Sequence, residues 1–357
     1  MRKISLLFCL SYLVNHSIVA QLDVSSLPAS PVPLLQKLDS TIKTGKYERI
    51  TSVLIAKDGK LLFEKYYQKA NEDTRHNTRS VTKSMATLLT GIAIKQGHIE
   101  SEKDKIFSYL QHKLPVQNPD QRKENIILED LLTMSSCLEC DDDNYFSRGN
   151  EERMYPIEDW SSFYLDLPIR SYPFGPKPAD QPYGRAFSYC TAGAALMAEI
   201  VQSAVGMKLD EFAKQHLFQP LGIKDYTLHY NPEGTLNTAG GSEYRSRDFL
   251  KLIQLCLNQG KWNGKEIIPS NWLEKATTPK AQVREGVEYG YLFWLKAFGQ
   301  EKKIQAFYMS GNGGHKMVAL PELNVCVVIT TLNYNRRNAH NFTDEIMNEF
   351  IVPAMME

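Results

Sequence analysis

The sequence predicts an α+β fold: one antiparallel sheet built from both ends of the chain, flanked by terminal helices, with a mainly helical lobe inserted between them. Three observations carry this expectation. First, two β-rich runs in "TSVLIAKDGKLLFEKYYQ" flank Asp58-Gly59, a strong signal for a tight hairpin. Second, from about Glu100 to Leu228 the patterns are helical or loop-like, with Pro- and Asp-rich connections. Third, the end of the chain turns β-like again, in "FWLKAF", "IQAFYMSG", "HKMVAL" and "VCVVITTLN", with Pro321 to Asn324 as the last turn. The chain then closes with "NAHNFTDEIMNEFIVPAM", an amphipathic helical pattern.

The elements follow in order. Residues 1–20 read as a secretory signal peptide: Arg2 and Lys3 open it, Ile4 to Val14 is mostly apolar, and Ala20 ends it. The apolar stretch is short for a membrane span, and no later stretch is long and apolar enough to be one. Removing it takes away two cations, so the exported chain carries a slight acidic excess. Residues 21–46 are polar and carry Pro28, Pro31 and Pro33, and read as a lead-in segment. Residues 47–99 and 229–357 then form the sheet lobe, and 100–228 the mainly helical lobe. The 357 residues suit one large domain or two lobes, and a cleft between two lobes is a natural ligand site. Lys+Arg and Asp+Glu are equal at 41 each, so charge recruits neither nucleic acid nor an anionic membrane.

The stretch "RSVTKSMATLLTGIAIKQG" carries the first chemistry. Met85, Leu88, Leu89, Ile92 and Ala93 recur at helical spacing, which buries this helix as a rigid mount. Ser80 and Lys83, three apart, share a face at its start. Free backbone N–H groups there favour a developing anion. A lysine beside a serine hydroxyl eases formation of the alkoxide, and when desolvated can take the proton. Ser-x-x-Lys alone is a weak signal, because serine is a common helix cap and lysine common on helix surfaces. A second copy, Ser40-Thr41-Ile42-Lys43, lies in the lead-in segment and reads as a decoy.

Two further segments add to it. "FSYCTAGAALMAEIVQSAVG" places Tyr189 just before an apolar helix, and "YMSGNGGHKMVALPELNVCVVIT" places a glycine-rich bend at a strand entry. With "LLTMSSCLECDDD", "GNEERMYPIEDW", "PLGI", "GGSEYRSRDFLKLIQLCLNQGKWNG" and "YGYLFW" in this order, the chain resembles the serine β-lactamase and penicillin-binding-protein superfamily. The nearest branch is the class C-like esterases and amidases, which include the 6-aminohexanoate-dimer hydrolases. The resemblance runs from about Val53 to the last helix and implies a β-lactamase/transpeptidase-like fold.

The resemblance also implies roles. Ser80 matches the acyl-accepting nucleophile, Lys83 its first-box partner and Tyr189 the second-box base or acid. Ser310 and Gly311 fall in the third box, and Asn312 follows it; the backbone N–H groups of Ser80 and Asn312 would form the oxyanion site. Two boxes depart from the family pattern. Thr191 replaces the usual asparagine of Tyr-x-Asn, and Met309 replaces the usual third-box cation, which helps hold a substrate carboxylate. Which of Lys83 and Tyr189 takes the serine proton stays open.

An exported chain meets an oxidising compartment. The resemblance pairs Cys140 with Cys190 and puts Cys137 where the family usually has glycine, as a free thiol near the cleft. Cys256 and Cys326 lie in apolar runs and read as buried core residues. "CDDDNYF" reads as a solvated acidic loop, and His315 as a residue at the cleft rim. The histidines show no metal-ligand spacing, so neither metal nor cofactor is expected. Gly-x-Ser-x-Gly is absent, against an α/β-hydrolase. The expected function is an exported serine hydrolase that cleaves a small ester or amide through a Ser80 acyl-enzyme. The alternatives are a β-lactamase or D-alanyl carboxypeptidase of the same fold, and a catalytically silent binding or sensor protein.

Overall fold

The computed structural model describes residues 22–24, 32–171 and 177–357. The signal-peptide reading falls on residues 1–20, outside the described residues.

Asp58 and Gly59 both take positive φ, 52° and 73°. That is the backbone a two-residue turn needs to match strand twist, and it joins β1 (Ile50–Lys57) to β2 (Lys60–Tyr66). Short strands follow in the middle of the chain: β3 (Arg75–Asn77), β4 (Tyr226–Thr227), β5 (Glu243–Arg245), β6 (Lys261–Trp262) and β7 (Lys265–Glu266). The chain then returns to long pairing with β8 (Ala281–Arg284), β9 (Val287–Tyr289), β10 (Trp294–Phe298), β11 (Ile304–Gly311), β12 (His315–Leu320) and β13 (Val325–Thr331). The main sheet has eight strands in the order β2-β1-β13-β12-β11-β10-β9-β8. The first long strand pairs the last, antiparallel, with Val53 opposite Ile329 and Ile55 opposite Val327. The expected α+β architecture is therefore present: one antiparallel sheet draws on both ends of the chain.

Both faces of that sheet are covered, which is why β1 and β13 are buried almost throughout. Successive side chains point to opposite faces. Val53 and Ile55 meet Leu35, Leu38, Ile346 and Phe350 from the terminal helices, and Leu54 and Ala56 join the larger core with Leu88, Leu89 and Ile253. The segment read as a polar lead-in contains helix α1 (Pro33–Lys43), opened by proline at its first position. Its Leu35, Leu38 and Ile42 are buried at helical spacing, so it belongs to the sheet's cover. Each such side chain contributes roughly 1.5–3 kcal/mol by leaving water. The second Ser-x-x-Lys copy sits on this helix: Ser40 Oγ donates to the Gln36 carbonyl and Lys43 Nζ to Asp39, both exposed, as a helix surface does.

Helix α2 (Lys83–Lys95) is buried from Lys83 to Ala93. Its polar side chains reach neighbouring backbone: Ser84 Oγ donates to Leu292 O (2.6 Å) and Thr87 Oγ1 to Tyr291 O (2.7 Å). Gly91 leaves room for Trp272, whose indole would lie 2.4 Å from any β-carbon there. Between the sheet's two halves lie α3 (Leu128–Leu132), α4 (Glu151–Met154), α5 (Trp160–Leu165) and α6 (Thr191–Val205), with α6 packed on α2. Among the described residues, no helix is long and apolar enough to cross a membrane.

Candidate active site

The chain enters the site through a kink. Arg79 takes φ 55°, unusual for a residue with a side chain, and its guanidinium rests 4.8 Å from the Tyr334 ring centroid. Ser80 follows on a tight 3₁₀ turn, Arg79–Thr82, that leads into α2. It is thus one turn ahead of the α-helix proper, and makes no capping bond. Lys83 is 2 % exposed. Its Nζ donates to Ser80 Oγ (3.1 Å) and to Ala239 O (2.7 Å). An ammonium buried this deeply is tolerable only with such acceptors.

Tyr189 reaches the same point from the segment ahead of α6. Its ring centroid lies 5.2 Å from Lys83 Nζ, and the ring stacks on Trp294 at 5.8 Å. Cys190 is bonded to Cys140 across 50 residues of chain, as the family resemblance implied. Cys137 is free and half-buried at φ 62°, the left-handed region where glycine is favoured. Cys256 and Cys326 are free and buried.

The third side is the end of β11. Met309 is buried in the core, Ser310 is 9 % exposed, and Gly311 lies against the Ser80 turn. A β-carbon on Gly311 would meet Thr78 O at 1.9 Å and Ser80 N at 3.3 Å. Asn312 is held through its side chain: Nδ2 donates to Asn335 Oδ1 and Oδ1 accepts from Asn335 N, both at 2.7 Å. Ser80, Lys83, Tyr189 and the Ser310-Gly311-Asn312 bend therefore converge from three separate parts of the chain.

Two expectations are corrected here. His315 is fully buried and does not sit at the cleft rim. Gly313 and Gly314, at φ 98° and 84°, reverse the chain so that His315 starts β12 facing inward. Its Nδ1 accepts from Thr331 N at 3.3 Å, and burial pushes its pKa down to about 3. The acidic run Asp141-Asp142-Asp143 is not uniformly solvated either. Asp142 Oδ2 accepts from Thr191 N (2.7 Å), Oδ1 from Glu151 N (2.9 Å), and its own N–H donates to Tyr189 O (2.9 Å). Burial pushes its carboxyl up to about 6, against the pull of Lys83. The sequence signal for it was only its place two residues after a half-cystine.

A cleft of about 680 Å³ opens beside Tyr189. Phe187, Val283 and Arg284 line it with Asp141, Asp143 and Phe146, a mixture of apolar and oppositely charged groups. Phe146 is 90 % exposed. One acidic group elsewhere, Asp159, Glu199 and Glu233, has metal-like spacing. The Lys113 ammonium already lies among these carboxylates, 2.9 Å, 3.4 Å and 3.9 Å away, so the trio is an ion-pair cluster.

Residues 39–345 match the family model described as Beta-lactamase. The chain belongs to the Beta-lactamase family. Within that family it is a serine hydrolase related to β-lactamases. It is 22 % identical over 294 residues to the 6-aminohexanoate-dimer hydrolase of Paenarthrobacter ureafaciens, covering 80 % of this chain and 71 % of that one. Among solved structures, it resembles a D-stereospecific amidohydrolase from Streptomyces (TM-score 0.65, 14 % identity, 88 % of this chain and 97 % of that one). It also resembles a class C β-lactamase from Rhodobacter sphaeroides (TM-score 0.63, 14 % identity, 90 % of this chain and 98 % of that one). At such identities the structural likeness speaks for the fold, a β-lactamase/transpeptidase-like α+β arrangement.

Proposed function

We propose that this protein is an exported serine hydrolase that cleaves a small ester or amide through an acyl-enzyme on Ser80. The observation that carries the reading is the buried Lys83 ammonium, 3.1 Å from Ser80 Oγ and 5.2 Å from the centre of the Tyr189 ring. The 3.1 Å contact is the reach that a nucleophile and its proton partner need, and Tyr189 stands beside the pair.

In this reading Ser80 Oγ attacks the substrate carbonyl. Tyr189, as a phenolate beside the Lys83 ammonium, takes the serine proton and passes it to the leaving group; Lys83, as the neutral amine, is the other candidate for that transfer. The backbone N–H groups of Ser80 and Asn312 face the developing oxyanion, with Gly311 allowing the two segments to close on one another. Water then hydrolyses the acyl-enzyme, with the same groups returning the proton.

Two substitutions weigh against a dedicated β-lactamase or D-alanyl carboxypeptidase. Met309 is apolar and buried where the family carries a cation, and Thr191 takes the place of the second-box asparagine. The names of two relatives, a 6-aminohexanoate-dimer hydrolase and a D-stereospecific amidohydrolase, support a hydrolase acting on small substrates outside the β-lactams.

The test is intact mass after reaction with a fluorophosphonate probe, with Ser80→Ala alongside. One adduct on the wild type and none on the variant is expected. No adduct on either would favour a silent binding protein. The same spectrum, on protein from cells that export it, reports whether the mature chain begins at Gln21.

A further inference from the structure

We infer that Asp142 is a positioning residue for this chemistry: it holds the Tyr189 segment in place and supplies the negative charge that balances the Lys83 ammonium. The inference rests on the roles proposed above for Ser80, Lys83 and Tyr189.

The geometry comes first. One residue ties three segments together, through Thr191 N, Glu151 N and the Tyr189 carbonyl. Tyr189 is thereby held twice on its C-terminal side: the Cys140–Cys190 bond follows it in sequence, and the Asp142 N–H holds its own carbonyl. The two N–H donors use different oxygens of the carboxylate. An amide would turn its NH₂ group toward one of them, so the site fits an ionised acid better than its isostere.

The charge argument is independent. Among the described residues, the hydrogen-bond acceptors of Lys83 Nζ are a hydroxyl and a backbone carbonyl, both neutral. A buried ammonium without counter-charge is costly. Lys83 is the largest attractive charge felt by Asp142. The other groups around Asp142 oppose or lack charge. Glu151, at the start of α4, raises its pKa, and Thr191 on α6 donates its backbone N–H to it. Tyr155, just after α4, feels the Asp142 charge and is held to Glu151 at 2.7 Å. Arg284 across the cleft acts on the neighbouring Asp143. Because burial brings the Asp142 proton equilibrium to about 6, the balance changes within the pH range in which the enzyme can be assayed.

The experiment is the pH profile of kcat/KM on an activated ester for wild type, Asp142→Asn and Asp142→Glu, with melting temperature and fluorophosphonate labelling measured on each. The wild type should lose activity on an acid limb near pH 6. Asp142→Asn should be lower by about tenfold at pH 8, less than the ~10²–10⁴ that positioned proton transfer itself contributes. It should also lack that limb, while Ser80 still accepts the probe. An acid limb retained unchanged in Asp142→Asn overturns the inference, whatever the drop in rate, because a purely structural role would scale the profile without reshaping it. Should the asparagine variant fail to fold, Asp142→Glu answers the same question: its acid limb moves from the wild-type position, and one that stays put overturns the inference. Loss of the proposed function itself is read separately, from a Ser80→Ala variant that turns over the ester as fast as the wild type.

Discussion

Replacing Gly311 by alanine adds one methyl group at the junction of β11 and the Ser80 turn. That methyl would lie 1.9 Å from the Thr78 carbonyl oxygen. An ordinary carbon–oxygen contact is about 3.3 Å, so the two backbones must part by roughly 1.4 Å. Neither partner is a flexible side chain. Thr78 also accepts the Val81 N–H that shapes the turn, so Ser80 moves when Thr78 does. Overpacking of this kind costs about 1–3 kcal/mol of stability. A displacement near 1 Å at reacting groups can cost about 10²-fold in rate. The expected result is therefore a folded protein, a few degrees less stable, with kcat/KM on an activated ester down by about 100-fold. Gly260→Ala is the control. Its methyl would meet Ile268 O at 2.0 Å, in the turn after helix Ser246–Leu257. It should lose stability with little loss of kcat/KM per folded molecule. Wild-type kcat/KM in a folded Gly311→Ala, or equal losses in the two variants, would refute the reasoning that β11 and the Ser80 turn form one oxyanion site.

Other outcomes follow from the same structure. Cys140→Ala/Cys190→Ala removes a cross-link that spans 50 residues. By loop-closure entropy this lowers unfolding free energy by ~4 kcal/mol, read by urea titration; a loss under 1 kcal/mol would contradict it. Acid should destabilise the fold through buried histidines. Burial lowers His76 to about 4, His315 to about 3 and His340 to about 4. Below the ordinary value near 6.5, the unfolded chain takes protons that the native state refuses. Their stabilising contribution is thus complete above that value and is lost as pH falls toward 4. Three histidines against the opposing Asp142 give a slope of about 3 kcal/mol per pH unit near pH 5. A melting temperature that stays flat from pH 7 to 4.5 would exclude this.

Much of the fold was legible because local chemistry and long-range packing agree. Asp58-Gly59 closes a tight turn, and the strand before it is buried on both faces, as a doubly covered sheet requires. Ser80 and Lys83 were visible through their spacing ahead of an apolar helix. The Cys140–Cys190 pairing came from family resemblance, since the five cysteines after residue 20 leave the choice open. What stayed hidden depends on distant partners. Leu35, Leu38 and Ile42 have helical spacing, but the prolines just before them made the stretch look like a linker; only the sheet they cover explains them. The Ala239 carbonyl that accepts from Lys83 carries no side-chain signature at all. Asp142 is like its neighbours in type and differs only because Thr191 and Glu151, 49 and 9 residues on, present N–H groups to it. His315 turns inward because of two glycines whose effect is geometric and not compositional.

The bond between Cys140 and Cys190 links chemistry to place. It joins the acidic loop to the residue next to Tyr189, the proposed proton shuttle, and so adds a covalent tie to the hydrogen bonds that place that segment. In reducing surroundings the chain would carry its serine and lysine on one rigid helix while the tyrosine segment kept only its hydrogen bonds. If Tyr189 acts as proposed, reduction of the bond should lower activity while leaving Ser80 and Lys83 in place, a loss that reoxidation would reverse.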